Sequence, residues 1–451
     1  MSTNSSPKSN NSLSQLQQTL RISLPMILGQ VGQVLMGVTD SIMVGHIGAV
    51  PLAASAFVNN IINIPLVFLI GISTCISVRV SQHYGAGDTK KIAESYWNGL
   101  LLSLMFAVII VVGLLLIRDD LWIFRQPEEV TAISKVFFIT VTFSLIPSLI
   151  YQCSKNFCDG FSHTVPATVV MILGLGLNIV FNWVLIYGNL GAPALGLDGA
   201  GYATVSARSI MALLMMGYVF YAPIYKVFMN SINFSEWNLV VMRGLAKIGV
   251  PSGLQFLFEV GAFAGSGVMM GWISTQALAA HQIALNLASL TFMVALGISL
   301  GASVRVGQAH GKKDWVAVRT IGLSALAFVL AIEGFFAIGF FLSKDHLPLL
   351  YIKEAPVIAL ASQMLLIAAL FQLVDGLQCV ALGLLRGISD VRIPTSITFA
   401  SYWIIGLPLG YILAFIFGLE HLGIWIALLV ALMFSAGLLT WRFQRLTKRA
   451  Q

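Results

Sequence analysis

The sequence predicts an all-α polytopic membrane protein, with twelve transmembrane helices in two six-helix lobes related by pseudo-two-fold symmetry along the membrane normal. Three observations support this fold class. Only 10% of the 451 residues are charged, whereas a soluble domain carries roughly 25% charged residues. Apolar segments of about 20 residues recur along the chain, and each is long enough to cross a bilayer core of about 30 Å. A stretch of sequence is also repeated at a fixed interval.

The apolar segments give the predicted spans in order. Residues 1–20 are rich in Ser, Asn and Gln, which predicts a disordered cytoplasmic tail. The apolar stretch that follows has full length and lacks a small-residue cleavage site, so we do not expect a signal peptide. A basic cytoplasmic tail is expected over 443–451. The twelve predicted spans cover residues 22–44, 52–76, 96–117, 133–153, 165–188, 200–222, 247–271, 277–300, 316–342, 356–384, 393–417 and 421–442.

Basic residues predict the orientation of the spans. When both termini are placed inside, most of the 25 lysines and arginines fall in the inner loops. This bias follows the positive-inside rule and predicts a multi-pass protein of the plasma (inner) membrane with both termini cytoplasmic. The net charge of +7 is spread over many short loops and forms no single basic face. We therefore expect the lipid bilayer to be a partner of this protein and expect no nucleic-acid partner.

An internal duplication predicts the two lobes. Residues 71–88 read GISTCISVRVSQHYGAGD and residues 297–314 read GISLGASVRVGQAHGKKD, with ten of 18 positions identical at an offset of 226. Six spans per repeat give both halves the same orientation, as in parallel repeats, whose substrate sites lie at the repeat interface. The predicted domains are an N-terminal lobe over 21–222, a cytoplasmic linker over 223–246 and a C-terminal lobe over 247–442.

Five ionisable residues lie inside predicted spans, where such a group costs about 2.5–3.5 kcal/mol near the bilayer centre. Three of them are the acids Glu259 in span 7, Asp375 in span 10 and Asp40 near the outer end of span 1. A structural role would favour the same acids in both repeats, but each aligns with a neutral residue in the other half. The alternative is a buried ion pair, or an acid at a helix end that reaches water. The aligned neutral residues are Gln33, Ser148 and Ser266.

Burial predicts the chemistry of these acids. A carboxylate in a medium of low dielectric holds a proton unless a cation neutralises it. These carboxylates are therefore predicted to exchange H⁺ or Na⁺ for a cationic substrate, with Na⁺ bound at Glu259 and Asp375. Arg208 and Glu333 also lie in spans, but the sequence shows no polar cluster around them.

Several amide side chains are predicted to line the cavity. Asn178 and Asn182 are four residues apart and share one face of a helix, so they can offer oxygens to a cation or substrate. Interhelical hydrogen bonding is the alternative role. The remaining predicted cavity residues are Gln33, Gln282 and Asn286.

Two short strings in the sequence match catalytic motifs, but neither lies in the structural context that catalysis requires. The GxGD string at 85–88 lies in a Lys-rich loop and is read as a turn. The GxSxG string at 297–301 ends an apolar helix, whereas a nucleophile elbow needs a strand, a turn and a helix. The sequence has no Walker A motif, HExxH motif or dinucleotide fingerprint. We therefore expect neither an enzyme nor a cofactor, apart from the coupling ion.

The chain resembles the MATE (multidrug and toxic compound extrusion) family over about 21–442. The resemblance is carried by LPMILGQVGQVLMGVTDSIMVGHIG, the paired VRVSQHYGAGD and VRVGQAHGKKD loops, GLNIVFNWVLIYG and LRGISDVRIP. It implies a secondary antiporter that exports cationic or amphipathic organic compounds in exchange for Na⁺ or H⁺ by alternating access. A lipid-linked precursor flippase, an exporter of one metabolite and a membrane-embedded enzyme are the alternatives.

Within the family, the chain is similar to the NorM branch. That likeness implies that Glu259 and Asp375 couple the cation and that Asp40 couples protons or substrate. Asn182 stands where the DinF branch tends to carry an aspartate. Phe371 stands where a tyrosine is often found, one turn before Asp375, so a hydroxyl that could bind a cation is missing there. We expect the chain to function as a monomer.

Overall fold

The computed structural model describes residues 12–230 and 237–450, and this described part is helical without strands. Two π-helical segments, Ala400–Gly406 and Ile412–Ile416, interrupt the eleventh span. Short 3-10 helices cover Leu121–Phe124, Asn189–Gly191 and Leu347–Leu350. The α-helices are α1 (Ser12–Gly45), α2 (Ala49–Ala86), α3 (Thr89–Leu116), α4 (Glu128–Phe143), α5 (Leu145–Gly160), α6 (Val165–Tyr187), α7 (Gly196–Tyr221), α8 (Pro223–Met229), α9 (Leu239–Ile273), α10 (Thr275–Gly311), α11 (Trp315–Ser343), α12 (Ala355–Gly387), α13 (Arg392–Phe399), α14 (Leu407–Tyr411) and α15 (Glu420–Arg449).

The predicted number of spans is confirmed. In the described part of the chain, 12 helical segments are long and apolar enough to cross a membrane. The fourth combines α4 and α5, and the eleventh runs from α13 through both π-helical segments. The four cysteines are buried and free, as expected for small apolar side chains.

Most helices are longer than the predicted spans, and three boundaries need correction. The predicted tail over 1–20 is wrong for residues 12–20, which begin α1, and residues 1–11 lie outside the described part. The predicted linker over 223–246 contains α8 and the start of α9, while residues 231–236 are not described. The tail over 443–451 is helical as far as Arg449. Hydropathy detects only the apolar part of a helix, whereas backbone hydrogen bonding continues into polar residues.

The chain forms two compact units whose boundaries differ from the predicted lobes. The N-terminal unit is Leu28–Leu257, and the C-terminal unit combines the residues up to Ile27 with those from Phe258 onward. Helices α1 and α9 thus contribute to both units. Each unit has its own apolar core. The core of the C-terminal unit includes Phe371, Tyr402 and Trp425, and that of the N-terminal unit includes Phe137, Phe138 and Leu145.

Close contacts explain why the first part of α1 belongs to the C-terminal unit. A Cβ atom added to Gly297 of α10 would lie 2.3 Å from Cγ1 of Ile27, and one added to Gly301 would lie 2.3 Å from Oγ of Ser23. One turn further, the guanidinium of Arg305 donates hydrogen bonds to Gln15, Gln18 and Thr19 of α1. Small residues allow the two helices to approach, as is typical of membrane helix pairs.

The duplicated loops fold in the same way, and the predicted turn of the GxGD string is confirmed for Gly87 and Asp88, whereas Gly85 and Ala86 are the last residues of α2. Asp88 and Asp314 cap α3 and α11 by accepting a hydrogen bond from the backbone three residues later. Gly87 (φ 74°) and Lys313 (φ 61°) precede them in the left-handed conformation. Ser299 of the GxSxG string donates to the Cys379 carbonyl at 2.6 Å, so its hydroxyl joins α10 to α12.

A buried ion pair within α5 gives a first test of the fold. Lys155 Nζ lies 2.9 Å from Asp159 Oδ2, and both side chains are buried in the N-terminal unit. Replacing Lys155 by Met would leave a buried charge without its partner, so we expect a loss of roughly 3–5 kcal/mol in stability. Thermal unfolding of the detergent-purified protein measures this loss.

The matched control is Lys91→Met. Lys91 pairs with Asp88 at 2.7 Å, but the lysine is exposed, and such pairs contribute only about 0–1 kcal/mol. Equal shifts in the midpoint of unfolding for the two variants would contradict the assignment of Lys155 and Asp159 as a buried pair that supports the fold.

Candidate functional site

Asp40 lies in a polar cluster of the N-terminal unit. It is half-buried on α1, and Asn182 Nδ2 of α6 donates to its Oδ1 at 2.5 Å. The same amide donates to Asn178 Oδ1 at 3.3 Å, and Thr204 Oγ1 of α7 lies 3.5 Å from Asp40 Oδ2. The structure therefore brings Asp40, Asn178 and Asn182 together. The bond from Asn182 to Asp40 is interhelical, which is the alternative role predicted for these amides, whereas the bond from Asn182 to Asn178 stays within α6.

Arg208 belongs to the surroundings of this cluster, and the expectation of no polar neighbours was wrong. Its guanidinium donates to Ser144 Oγ at 2.7 Å and lies within electrostatic range of Asp40. Thr204 and Arg208 are four residues apart in α7 and so share a face. This spacing is the feature of the sequence that could have predicted a polar neighbour for Arg208. The charge on Asp40 therefore has a basic neighbour as well as neutral donors.

Glu259 and Asp375 are both buried in the C-terminal unit. Glu259 on α9 is 9% exposed and Asp375 on α12 is 7% exposed, and the two acids are within electrostatic range of each other. Asp375 Oδ1 has no hydrogen-bond partner among the described residues. The charge of Arg386, near the end of α12, acts on Glu259. Neither acid is exposed as a lipid-facing residue would be.

The first π-helical segment contributes two aromatic residues to this site. Tyr402 is buried within electrostatic range of both acids, and its hydroxyl accepts a hydrogen bond from Gln378 Nε2 at 3.0 Å. Trp403 Nε1 donates to the Phe258 carbonyl at 3.1 Å. π-Helical turns are frequent at functional sites. Tyr402 was not predicted as a site residue, because a hydropathy pattern does not reveal where a helix changes its hydrogen-bond register.

Phe371 lies one turn before Asp375 on α12 and packs in the apolar core of the C-terminal unit. Its ring contacts Phe263 with centroids 6.0 Å apart and Trp425 with centroids 5.7 Å apart. Phe371 has no hydroxyl, but Tyr402 carries one, and the ring centroids of Tyr402 and Phe263 are 6.1 Å apart. A phenol group is thus available near the acids from a different helix.

Glu333 is also close to Asp375, which corrects the expectation that it has no polar surroundings. It lies on α11 and is 1% exposed. A Cβ atom added to Gly376 of α12 would lie 2.7 Å from Glu333 Cγ, and the charge of Glu333 acts on Asp375. Both carboxylate oxygens lack a hydrogen-bond partner among the described residues. The Asp375-Gly376 pair in span 10 is the feature of the sequence that could have predicted this contact, because glycine leaves room for a side chain from a neighbouring helix.

The other predicted cavity residues are not part of either cluster. Gln33 is exposed in the N-terminal unit, and Gln282 and Asn286 are exposed in the C-terminal unit. Their role in a cavity stays a prediction. Within the described ranges, no three His, Cys, Asp or Glu side chains are grouped to hold a metal ion. Binding of Na⁺ by Glu259 and Asp375 likewise stays a prediction.

An open groove follows one face of α1 in the N-terminal unit. Its volume is about 650 Å³, which is in the range of small-molecule sites. The lining is mostly apolar and consists of Val34, Gly37, Val38, Ser41, Ile42, Gly45, His46 and Leu52. The lining residues from Val34 to Gly45 recur at helical spacing on a face of α1 that does not include Asp40, whereas His46 follows α1 and Leu52 lies on α2.

Comparison with known sequences identifies the family. A family model described as MatE matches residues 25–184 and 251–412, and the starts of the two matches are 226 residues apart, the offset of the internal repeat. The chain is 32% identical to a probable multidrug resistance protein NorM of Bradyrhizobium diazoefficiens, over 96% of this chain and 94% of that protein. It is 33% identical to the multidrug resistance protein MdtK of Yersinia pseudotuberculosis, over 95% of each. The expected resemblance to NorM is confirmed.

Solved structures show the same fold. An outward-facing multidrug resistance MATE family transporter of the MOP superfamily matches with a TM-score of 0.90 at 20% identity, over 99% of this chain and 100% of that one. The eukaryotic MATE transporter AtDTX14 matches with a TM-score of 0.87 at 19% identity, over 97% of this chain and 98% of that one. Together with the family model and the relatives, these matches show that the chain belongs to the MATE family.

Proposed function

We propose that the protein is a secondary active antiporter that exports cationic or amphipathic organic compounds in exchange for Na⁺ or H⁺ by alternating access. The observation that carries this proposal is the pair of buried acids, Glu259 and Asp375, on two helices of one unit. The relatives named as multidrug resistance proteins support the class of substrate. No cofactor other than the coupling ion is proposed.

The mechanism follows from the cost of buried charge. An unpaired carboxylate in an apolar interior is strongly disfavoured, so each acid has to be neutralised by a proton, a metal cation or a cationic substrate. Arg386 can offset one negative charge near Glu259, but Glu259 and Asp375 are two acids. Competition between the ion and the substrate for the remaining charge couples their movements. A ligand drives the change of state only through its different affinity for the two states.

The location of the protein is proposed on the same basis. The twelve apolar helices in residues 12–230 and 237–450 make it a multi-pass membrane protein. We propose that it lies in the plasma membrane with both termini in the cytoplasm, because the basic residues concentrate in the loops on that side. We also propose that it acts as a monomer and without a nucleic-acid partner.

Transport in liposomes tests the proposed function. Purified protein is reconstituted, and uptake of ethidium is followed under a Na⁺ gradient at equal pH and, separately, under a pH gradient without Na⁺. Uptake should follow at least one gradient and stop when that gradient is collapsed by an ionophore. Protein-dependent uptake that neither gradient drives would contradict antiport.

The Asp40 cluster provides a separate prediction. Asp40→Asn removes the charge that the Asn182 amide contacts, and a hydrogen bond to a charged group contributes roughly 1.5–3 kcal/mol. We expect ion-driven ethidium uptake to fall by about tenfold or more. Asp120→Asn is the matched control, because Asp120 is exposed and lies outside the spans. Equal uptake by the two variants would exclude a coupling role for Asp40.

A further inference from the structure

We propose that Glu333 acts with Asp375 across α11 and α12 to retain the coupling cation. This inference rests on the proposed antiport function and adds a residue to it. The contact with Gly376 places Glu333 beside the residue that follows Asp375 in α12. The close approach is possible only because position 376 has no side chain.

The burial of Glu333 needs an explanation that scaffolding does not give. A buried acid in a scaffold is normally paired with a base or hydrogen-bonded. Asp159 is an example in this chain, because it pairs with Lys155. Glu333 is instead 1% exposed, and neither carboxylate oxygen has a hydrogen-bond partner among the described residues. Its charge acts on another acid, Asp375.

A neighbouring amide points independently to a ligand. Gln372 of α12 is 2% exposed, and neither its oxygen nor its nitrogen has a hydrogen-bond partner within the described ranges. It lies one turn before Gly376 on the same face of α12, so it flanks the position that Glu333 contacts. Glu333, Gln372 and Asp375 therefore provide carboxylate and amide oxygens, which are the ligands that hard cations prefer.

The surrounding charges determine what the site can hold. The charged and titratable groups that act within this cluster are Glu259 on α9, Cys379 and Arg386 on α12 and Tyr402 on the π-helical segment. Arg386 is the cation among them, and it acts on Glu259. Glu333 and Asp375 are like charges, so each strengthens the binding of a monovalent cation by the other. The cation is Na⁺ or H⁺, and the two gradients distinguish them.

The sign of the expected effect follows directly. Glu333→Gln keeps the shape of the side chain but removes its negative charge, so Asp375 should bind a cation less tightly. We expect the half-maximal Na⁺ concentration for ethidium uptake to rise by about tenfold. If protons are the coupling ion, the pH dependence should move to lower pH by about one unit. The maximal rate should change much less.

The experiment uses the reconstituted full-length protein under each gradient separately. Glu333→Asp keeps the charge and should restore most of the ion dependence. Glu354→Gln is the matched control, since this exposed acid directly precedes α12 and should leave the dependence unchanged. Should Glu333→Gln not fold, binding of ²²Na⁺ and the pH dependence of uptake in Glu333→Ser replace it as the measurement.

The outcomes separate the inference from the proposed function. If wild-type protein responds to a gradient but loss of the Glu333 charge leaves the ion dependence unchanged, Glu333 is structural and the inference is overturned. If the maximal rate falls without any shift in ion dependence, a role in cation retention is equally excluded. If the wild-type protein responds to neither gradient, the proposed antiport fails, and the inference fails with it.

Discussion

Asp375→Asn should reduce ion-driven ethidium uptake by about a hundredfold. Neutralising an acid in the membrane removes a free-energy difference of roughly 2.5–3.5 kcal/mol, and each 1.36 kcal/mol corresponds to about tenfold in rate. Asparagine has nearly the same shape, so the packing of α12 should survive. Initial rates in liposomes, under whichever gradient drives the wild-type protein, measure the effect.

One control and one further variant make this result specific. Asp345→Asn changes an exposed acid in the loop before α12 and should leave uptake unchanged. Glu259→Gln should also lower uptake, because Glu259 lies within electrostatic range of Asp375. Wild-type rates for Asp375→Asn would show that the buried acid takes no part in coupling.

Gly71→Ala should lower the stability of the N-terminal unit at a contact between backbones. A Cβ atom at Gly71 of α2 would lie 2.5 Å from Cα of Gly253 and 2.8 Å from its nitrogen. No side-chain movement relieves a clash with backbone atoms, so α2 and α9 would have to separate. Overpacking of this kind costs roughly 1–3 kcal/mol, which should lower the unfolding midpoint in detergent.

Gly113→Ala serves as the comparison. Gly113 lies inside α3, and an added Cβ atom would meet nothing within 4 Å. Alanine forms helices better than glycine by up to about 1 kcal/mol, so this variant should be as stable as the wild-type protein or more so. If both alanines changed stability in the same direction and by the same amount, close packing at Gly71 would not be the cause.

Hydropathy and internal repetition were sufficient to predict the number of spans. They also predicted that Glu259 and Asp375 are buried, because both acids interrupt long apolar segments. Gly87 and Lys313 adopt the same left-handed conformation in the two duplicated loops, although glycine and lysine differ. The internal repeat therefore predicted the local structure of both loops. These features depend on local composition, which a single sequence records directly.

Features that depend on contacts between helices were not predicted. The contact between Glu333 and Gly376 joins α11 and α12, and hydropathy alone does not give the rotation of a helix about its axis. The hydroxyl of Tyr402 reaches Gln378 from a π-helical segment whose sequence reads as an ordinary span. The assignment of the first part of α1 to the C-terminal unit depends on Gly297, Gly301 and Arg305, which are more than 250 residues away in sequence.

The most direct measurement is the affinity of the detergent-purified protein for ethidium as a function of Na⁺ concentration and of pH. If cation and substrate take turns in neutralising the same buried acids, the ethidium dissociation constant should increase with Na⁺ or with falling pH, and Asp375→Asn should remove that dependence. An ethidium dissociation constant that is the same at every Na⁺ concentration and pH would contradict the account.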